Sequence, residues 1–156
     1  ILRRRALGLL AAILVADQLT KLWVLHSGVL AAGPRRVLPF LDITLVWNRG
    51  ISYGLFQTDG TGRWILVGAT VVATVALAFW FARASHTLVV YGLAAILGGA
   101  VGNLIDRVAY GAVVDFVHLH AGGYSWYVFN IADAAIVFGV AALLIDGFLL
   151  KHEEDS

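Results

Sequence analysis

Four long apolar stretches constrain the fold of this chain more than any other feature. They cover about residues 6–25, 64–82, 87–105 and 131–150. Each is about 20 residues long, the length that a helix needs to cross a bilayer core of roughly 30 Å. The chain is 60% hydrophobic and 13% charged, whereas soluble domains are about 45–50% apolar and about 25% charged. We therefore predict an integral membrane protein, mainly α-helical, with four transmembrane helices.

The first apolar stretch has a second interpretation. A basic cluster, Arg3–Arg5, precedes a short apolar run at 7–16, which is a pattern typical of secretory signal peptides. No A-x-A-like cleavage site follows, and the apolar pattern resumes at 22–25. The sequence favours a retained helix, and residues 1–156 are then expected to form a single membrane-embedded domain.

The two long connections, at about 26–63 and 106–130, predict a small sheet at one membrane face. Residues 41–47 alternate with the period of a β-strand. Gly122 and Gly123 separate two β-rich runs, which predicts a hairpin. Aromatic side chains near this turn are of the type found at membrane interfaces: Tyr124, Trp126 and Tyr127.

Basic residues indicate the orientation in the membrane. With four spans, both termini lie on one side and both long connections lie on the other. Apart from Lys21, the basic residues near the spans are divided equally: Arg3, Arg4, Arg5, Arg83 and Lys151 against Arg35, Arg36, Arg49, Arg63 and Arg107. The positive-inside rule weights the first helix most, so the N-terminal cluster predicts cytoplasmic termini. The long connections then face outward.

Polar side chains gather at the connection-side ends of the membrane stretches. Asn103 and Asp106 end the third stretch, and Asn130 and Asp133 begin the fourth. Each pair is spaced i, i+3 and so shares a helix face. Asp115 lies between the two pairs in sequence. We expect all five to converge at one leaflet, whichever way the chain is oriented.

Structural roles remain open for each of these residues taken alone. Asp17 and Lys21, spaced i, i+4 in the first stretch, can form an internal ion pair. Asp106 can end a helix at the interface, and Asp133 can favour a helix start that Asn130 caps. A charge inside a membrane span costs several kcal/mol and usually faces the bundle interior or a functional cavity. The convergence of three carboxylates and two asparagines therefore favours a functional site.

A close pair of carboxyl groups has a defined chemistry. Two like charges a few ångströms apart cannot both ionise, so one group keeps a proton. The ionised group can take a proton from water while the other donates to a carbonyl oxygen. Such a pair at the membrane edge can hydrolyse a peptide bond without a metal or a covalent intermediate.

Other chemistries are disfavoured. The absence of cysteine excludes disulfides, thiolate metal sites and a cysteine nucleophile. There is no H-E-x-x-H zinc motif and no recognisable serine nucleophile elbow. His118 and His120 form an H-x-H pair that can bind a metal, but a strand would place them on the face opposite to Asp115. No basic stripe with interleaved aromatics indicates a nucleic-acid partner. The G-G-x-x-G spacing at 98–102 predicts close helix packing.

Two other functional classes remain open at this point. A small transporter or proton-conducting protein would use the same acids as a relay. Against this, the acids cluster at one leaflet, and the second and third stretches carry no polar path. A non-catalytic membrane adaptor would tolerate the loss of either Asp115 or Asp133.

Five blocks of sequence resemble the signal peptidase II family, the bacterial lipoprotein signal peptidases, which are integral-membrane aspartyl proteases. In the family's order and spacing they are DQLTK (17–21), NRGISYGLF (48–56), GNLIDR (102–107), GAVVDF (111–116) and FNIADAAI (129–136). They are spread over most of the chain. One departure is Ser52-Tyr53, where many members have Ala-Phe, and it bears on how a loop closes over substrate.

The resemblance implies a role for each matching residue. Asp115 and Asp133 match the catalytic dyad. The positions that match dyad support or substrate contact are Asn48, Gly50, Asn103, Asp106, Arg107 and Asn130, of which Asn48 and Gly50 belong to the loop over the substrate. Asp17 and Lys21 match a structural ion pair.

The resemblance also implies a substrate and a location. The substrate is a prolipoprotein that carries diacylglycerol on its lipobox cysteine, and cleavage before that cysteine releases the signal peptide. The family needs no metal or other cofactor and is inhibited by cyclic peptides such as globomycin. The expected location is the bacterial inner membrane, in contact with membrane lipid, with cytoplasmic termini and a site near the periplasmic face. We expect a monomer.

Overall fold

Four long helices form the protein in a computed structural model that describes residues 1–50 and 60–154, with side chains as far as Phe148. The helices are α1 (Leu2–His26), α2 (Thr61–Arg83), α3 (Thr87–Tyr110) and α4 (Ile131–Glu154). All four are long and apolar enough to cross a membrane, which confirms the predicted helical architecture. Several helices extend beyond the apolar stretches, because backbone hydrogen bonding continues into polar residues at the helix ends.

The two long connections form a four-stranded antiparallel sheet, with two strands between α1 and α2 and two between α3 and α4. Its strands are β1 (Arg35–Leu38), β2 (Leu41–Asn48), β3 (Val113–Ala121) and β4 (Tyr124–Ser125), in that spatial order. The small sheet is confirmed, and β1 is an additional strand. The second arm of the hairpin is shorter than the sequence indicates. After Ser125 the chain leaves the sheet and touches β3 again only through a bridge between Val117 and Phe129, since it must reach the start of α4.

Helix α3 occupies the centre of the bundle. More than half of its most apolar stretch is buried, against less than a fifth in each of the other three helices. Their outer surfaces carry large apolar side chains, such as Val72 and Phe138, which are 70% and 74% exposed and suit a lipid environment. The core between α1, α2 and α3 consists of Ala6, Phe81, Val90, Leu93, Ala94 and Leu97.

Glycines allow α3 to approach its neighbours closely. A Cβ on Gly98 would lie 2.9 Å from the carbonyl oxygen of Leu10 in α1, and one on Gly99 would collide with the carbonyl of Ala132 in α4. A Cβ on Gly102 would lie 2.5 Å from a carboxylate oxygen of Asp17. The predicted close packing is confirmed, and it brings backbone and polar side chains of three helices together.

The end of α3 determines where β3 begins. Gly111 ends the helix in the left-handed conformation, with φ 77°, which glycine adopts without a Cβ penalty. The chain then enters β3, where Val46 of β2 lies opposite Asp115 and Asn48 lies opposite Val113. This register places the end of β2 beside Asp115.

Candidate active site

The start of α4 is held by a reciprocal capping arrangement. The Asn130 Oδ1 accepts a hydrogen bond from the backbone N–H of Asp133 at 2.8 Å, and the Asp133 Oδ2 accepts one from the backbone N–H of Asn130 at 3.3 Å. The N–H of Ala132 donates to the Asp17 Oδ1 at 2.9 Å. Unpaired N–H groups of a helix start are thus satisfied within the protein. Asn130 therefore caps the helix, and its side chain also makes further hydrogen bonds.

Asn130 also joins the two carboxylates. Its Nδ2 donates to the Asp115 Oδ1 at 2.7 Å, while its backbone N–H reaches Asp133. The same Nδ2 lies 3.1 Å from the Asn103 Oδ1 and 3.3 Å from the carbonyl oxygen of Val114. Asn130 is fully buried, so the surrounding residues restrict the movement of its side chain.

Two further asparagines complete the donor set. The Asn103 Nδ2 donates to the Asp133 Oδ1 at 2.9 Å, and the Asn48 Nδ2 donates to the Asp115 Oδ2 at 3.2 Å. All four carboxylate oxygens of the pair therefore accept an N–H. Asn48, Asn103 and Asn130 are the only asparagines in the sequence, and each one contacts a carboxylate of this pair.

Asp115 is only 2% exposed, and its surroundings raise its pKa. Burial raises the pKa of Asp115 from 3.8 to about 7, and the neighbouring charge of Asp133 adds to the effect. Hydrogen bonds from Asn48 and Asn130 and the charge of Lys21 act in the opposite direction. A carboxyl group in this state exchanges a proton near neutral pH, as acid–base chemistry requires.

A buried ionic cluster lies behind the pair. The Lys21 Nζ lies 2.7 Å from the Asp17 Oδ2, 2.8 Å from the Asp106 Oδ2 and 3.1 Å from the Asn103 Oδ1. The Asp106 Oδ2 also accepts the backbone N–H of Val114 at 3.0 Å. Asp17 and Lys21 are thus paired within one helix, and Lys21 also pairs with Asp106. Asp106 does not end a helix in the interface, because it is 1% exposed and paired with Lys21.

Arg107 points towards β2 rather than the interface. It donates from Nη2 to the Gly50 carbonyl at 3.1 Å, and the Gly50 N–H donates to the Asn48 Oδ1 at 3.0 Å. Arg63 donates in turn to the carbonyls of Arg107 and Val108 at 3.0 and 2.6 Å. The chain leaving β2 is thereby tied to the end of α3. The departure at Ser52-Tyr53 lies outside the described residues.

A cavity of about 190 Å³ opens beside the pair. Asp133, half-buried, reaches it. Its lining combines polar and apolar side chains: Asn48, Thr70, Ala100, Asn103, Arg107, Val113, Asp133 and Ile136. A water occupies about 30 Å³ of liquid volume, so the cavity has room for water together with part of a peptide.

The residues that the sequence singled out for this site lie together at one end of the bundle: Asp17, Lys21, Asn48, Gly50, Asn103, Asp106, Arg107, Asp115, Asn130 and Asp133. Sequence reasoning missed Gln18, Arg63 and Thr70. The Gln18 Nε2 lies within 3.2 Å of oxygens of Asp17, Gly102 and Asp106. Gln18 is a polar amide inside a membrane helix, and this position alone could have identified it as a candidate site residue. Arg63 had no local signal, since its partner Arg107 lies 44 positions away.

The H-x-H pair makes contacts on the sheet. The His118 Nε2 lies 2.6 Å from the Ser125 Oγ, and the His120 Nε2 lies 2.9 Å from the Asp42 Oδ2. Within residues 1–50 and 60–154, no group of three or more His, Cys, Asp or Glu side chains is placed to hold a metal ion. The partners of the two histidines are Ser125 and Asp42, and neither of these belongs to the carboxylate pair.

Comparisons with known proteins match almost the whole chain. The family described as signal peptidase (SPase) II matches residues 9–149. A lipoprotein signal peptidase from a Methylobacterium species is 61% identical over 138 residues, 87% of this chain and 84% of the relative. One from Rhodopseudomonas palustris is 58% identical over 151 residues, 92% of each chain. A bacterial membrane enzyme solved by the in meso method at 2.3 Å superimposes with a TM-score of 0.85 at 28% identity, over 97% of this chain and 91% of that one.

Proposed function

Because this chain belongs to the signal peptidase II family of membrane aspartic peptidases, we propose that it cleaves diacylglyceryl-modified prolipoproteins just before the lipidated cysteine. The signal peptide is the released product. The observation that carries the proposal is the carboxylate pair itself. Asp115 and Asp133 share Asn130 as a donor. They lie at one end of a membrane-spanning bundle, beside a cavity that Asp133 lines.

The pair works as a general acid and a general base that hold one proton between them. The ionised carboxylate takes a proton from a water molecule as the water oxygen attacks the scissile carbonyl carbon. The protonated carboxyl gives its proton to the carbonyl oxygen, which produces a tetrahedral diol. As the diol collapses, the first carboxyl protonates the leaving nitrogen, the C–N bond breaks, and the second carboxylate takes back a hydroxyl proton. The pair again holds one proton, and no cofactor takes part.

The raised pKa of Asp115 supports this chemistry. With a pKa of about 7, its carboxyl group is partly protonated at neutral pH, whereas a carboxyl of ordinary pKa would be almost fully ionised. The buried N–H donors fix the carboxylate oxygens before substrate arrives, which avoids reorganisation during the reaction. Asn103, Asn130 and Asn48 have this role in the proposal.

The proposed site faces the periplasm. The Arg3–Arg5 cluster precedes the first span and favours cytoplasmic termini in the inner membrane, and the site lies at the opposite end of the bundle. Membrane lipid surrounds the exposed apolar faces of the helices, the enzyme acts as a monomer, and globomycin-type cyclic peptides occupy the substrate cavity.

A gel-shift cleavage assay tests the proposed activity. Purified protein is mixed with a diacylglyceryl-modified prolipoprotein, with and without a chelator, and with an unlipidated substrate in parallel. Asp115→Asn and Asp133→Asn should each lower the rate by about 10²–10⁴-fold, the usual contribution of general acid–base catalysis. Asp146→Asn is the matched control, since Asp146 lies near His86 at the other end of α4 and its loss should leave cleavage intact.

The outcomes separate the classes of function. Cleavage that survives the chelator and disappears in both dyad variants supports a metal-free aspartic mechanism. Full cleavage by a folded dyad variant contradicts the assignment of that residue. Failure of folded wild-type protein to cleave a well-lipidated substrate contradicts the proposed activity and favours a transporter or an adaptor.

A labelling experiment tests the orientation. The sequence contains no cysteine, so a single introduced cysteine reports its own side of the membrane. Gly122→Cys, in the turn between β3 and β4, should react with an impermeant thiol reagent in cells with a permeabilised outer membrane. Ser85→Cys, in the turn between α2 and α3, should react only after the inner membrane is opened. The reverse pattern would overturn the proposed orientation.

A further inference from the structure

Lys21 makes one contact that its pairing with the carboxylates of Asp17 and Asp106 does not require. Its Nζ reaches Asp17, Asp106 and the Asn103 Oδ1 at 2.7, 2.8 and 3.1 Å, and the residue is 2% exposed. An ammonium group has three N–H donors and no acceptor, so these three partners use all of them. The third partner is the amide that contacts Asp133.

The ammonium group determines which way the Asn103 amide faces. Because Lys21 can only donate, it holds the amide oxygen towards itself. The Nδ2 of Asn103 is then directed at the Asp133 Oδ1, 2.9 Å away. A rotation of the amide by about 180° would place an NH₂ group against the ammonium group, where neither can accept.

Asn130 alone cannot hold Asn103 in this orientation. Its Nδ2 carries two hydrogens but has three acceptors, namely the Asp115 Oδ1 at 2.7 Å, the Asn103 Oδ1 at 3.1 Å and the Val114 carbonyl at 3.3 Å. It can therefore release Asn103 and remain satisfied. Asp133 holds the amide only while it is ionised, since a protonated carboxyl can donate to a rotated amide oxygen.

We propose that Lys21 is a positioning residue for the reaction, which keeps an N–H of Asn103 directed at Asp133 in both protonation states of that carboxyl. The inference rests on the proposed dyad. In the rotated state, the Asn103 oxygen would accept the O–H of Asp133 and hold the proton away from the reacting atoms. Lys21 prevents this, so each proton that Asp133 gains during the reaction remains available for transfer.

A charge-balanced double variant separates positioning from simple charge compensation. Lys21, Asp17 and Asp106 together carry one net negative charge when ionised. Asp17→Asn combined with Lys21→Met removes one charge of each sign and leaves that net charge unchanged. It also avoids leaving an additional buried carboxylate without its cation, as Lys21→Met alone would. Asp17→Asn alone is the matched control, since it keeps the ammonium group on Asn103.

The expected result is a kcat effect without a KM effect. In the double variant, kcat should fall by about 10²-fold relative to Asp17→Asn, as misplaced catalytic groups typically cause, with KM unchanged. Rates are expressed per folded molecule, with folding measured by thermal unfolding in detergent. A folded double variant whose kcat equals that of Asp17→Asn would show that Lys21 only compensates charge, and would overturn the proposal.

A second measurement uses the wild-type protein and does not depend on the folding of a variant. Asparagine labelled with ¹⁵N gives three side-chain amide groups, because the chain has three asparagines. The Asn103 amide should show a single conformer from pH 5 to pH 8. A second conformer that grows as the pH falls would refute the inference. Wild-type cleavage and its loss in Asp115→Asn test the proposed function separately, so the two failures can be told apart.

Discussion

Replacing Asp115 by Asn should stabilise the folded protein at neutral and alkaline pH, although it removes a proposed catalytic group. Folding raises the pKa of Asp115 from 3.8 to about 7, chiefly through burial, so the folded protein binds this proton more tightly than the unfolded chain. The free energy of unfolding of the wild type therefore falls as the pH rises between these two values. Well below pH 3.8 both states are protonated and this contribution disappears.

The magnitude follows from the pKa difference. At about 1.4 kcal/mol per pKa unit, ionising Asp115 destabilises the folded protein by about 4 kcal/mol at pH 8 and by about 2 kcal/mol at pH 5. Asn at this position also places an NH₂ group against a neighbouring donor, either Asn48 or Asn130, which costs about 1–3 kcal/mol at every pH. The advantage of Asp115→Asn over the wild type should therefore grow by about 2–3 kcal/mol from pH 5 to pH 8.

Unfolding by SDS in mixed micelles, followed by tryptophan fluorescence, measures this difference at each pH. The chain contains five tryptophans, so no probe has to be introduced. Gly68→Ala is the control, because a Cβ there meets nothing within 4 Å and adds no titrating group. A difference between Asp115→Asn and the wild type that stays constant from pH 5 to pH 8 would refute the assigned electrostatics of Asp115.

Three further substitutions test other parts of the structure. Asp17→Asn leaves Lys21 paired with Asp106 but places an NH₂ group against a donor, either Lys21 or the Ala132 N–H. It should lower the free energy of unfolding by about 1–3 kcal/mol, while cleavage per folded molecule falls less than in a dyad variant. Gly99→Ala drives a methyl group into the backbone of α4 and should destabilise by about 1–3 kcal/mol or more, whereas Gly68→Ala should be neutral or slightly stabilising in the same unfolding assay. Arg107→Lys weakens the hold on the Gly50 carbonyl and should raise KM more than it lowers kcat in steady-state cleavage. A KM equal to that of the wild type would remove this role of Arg107.

Local patterns in the sequence were sufficient for the main architecture. Length and hydropathy indicate four spans, because a helix in lipid must satisfy its own backbone and present apolar side chains along about 20 residues. The convergence of Asp115 and Asp133 follows from topology. An even number of spans places both long connections on one side, and each polar pair lies at that end of its helix. The family blocks then indicate which of these residues to examine.

The contacts within the site depend on tertiary structure. Asp106 pairs with Lys21 rather than with its sequence neighbour Arg107, and Arg107 instead holds Gly50. Gln18 reaches Gly102 and Asp106 across 84 and 88 positions. No periodicity in the sequence encodes such pairings, since they depend on how closely two helices approach.

Glycine packing and hydrogen-bond direction explain why these contacts cannot be read from the sequence. Hydropathy is a property of each residue and its near neighbours, so it can be read along the chain. A hydrogen bond forms only within a few tenths of an ångström and over a limited range of angles, and these quantities exist only after α3 has docked against α1 and α4. The sequence alone therefore indicates that polar groups meet at one end of the bundle. Only the docked helices determine that Asn103 faces Asp133 while Lys21 holds its oxygen.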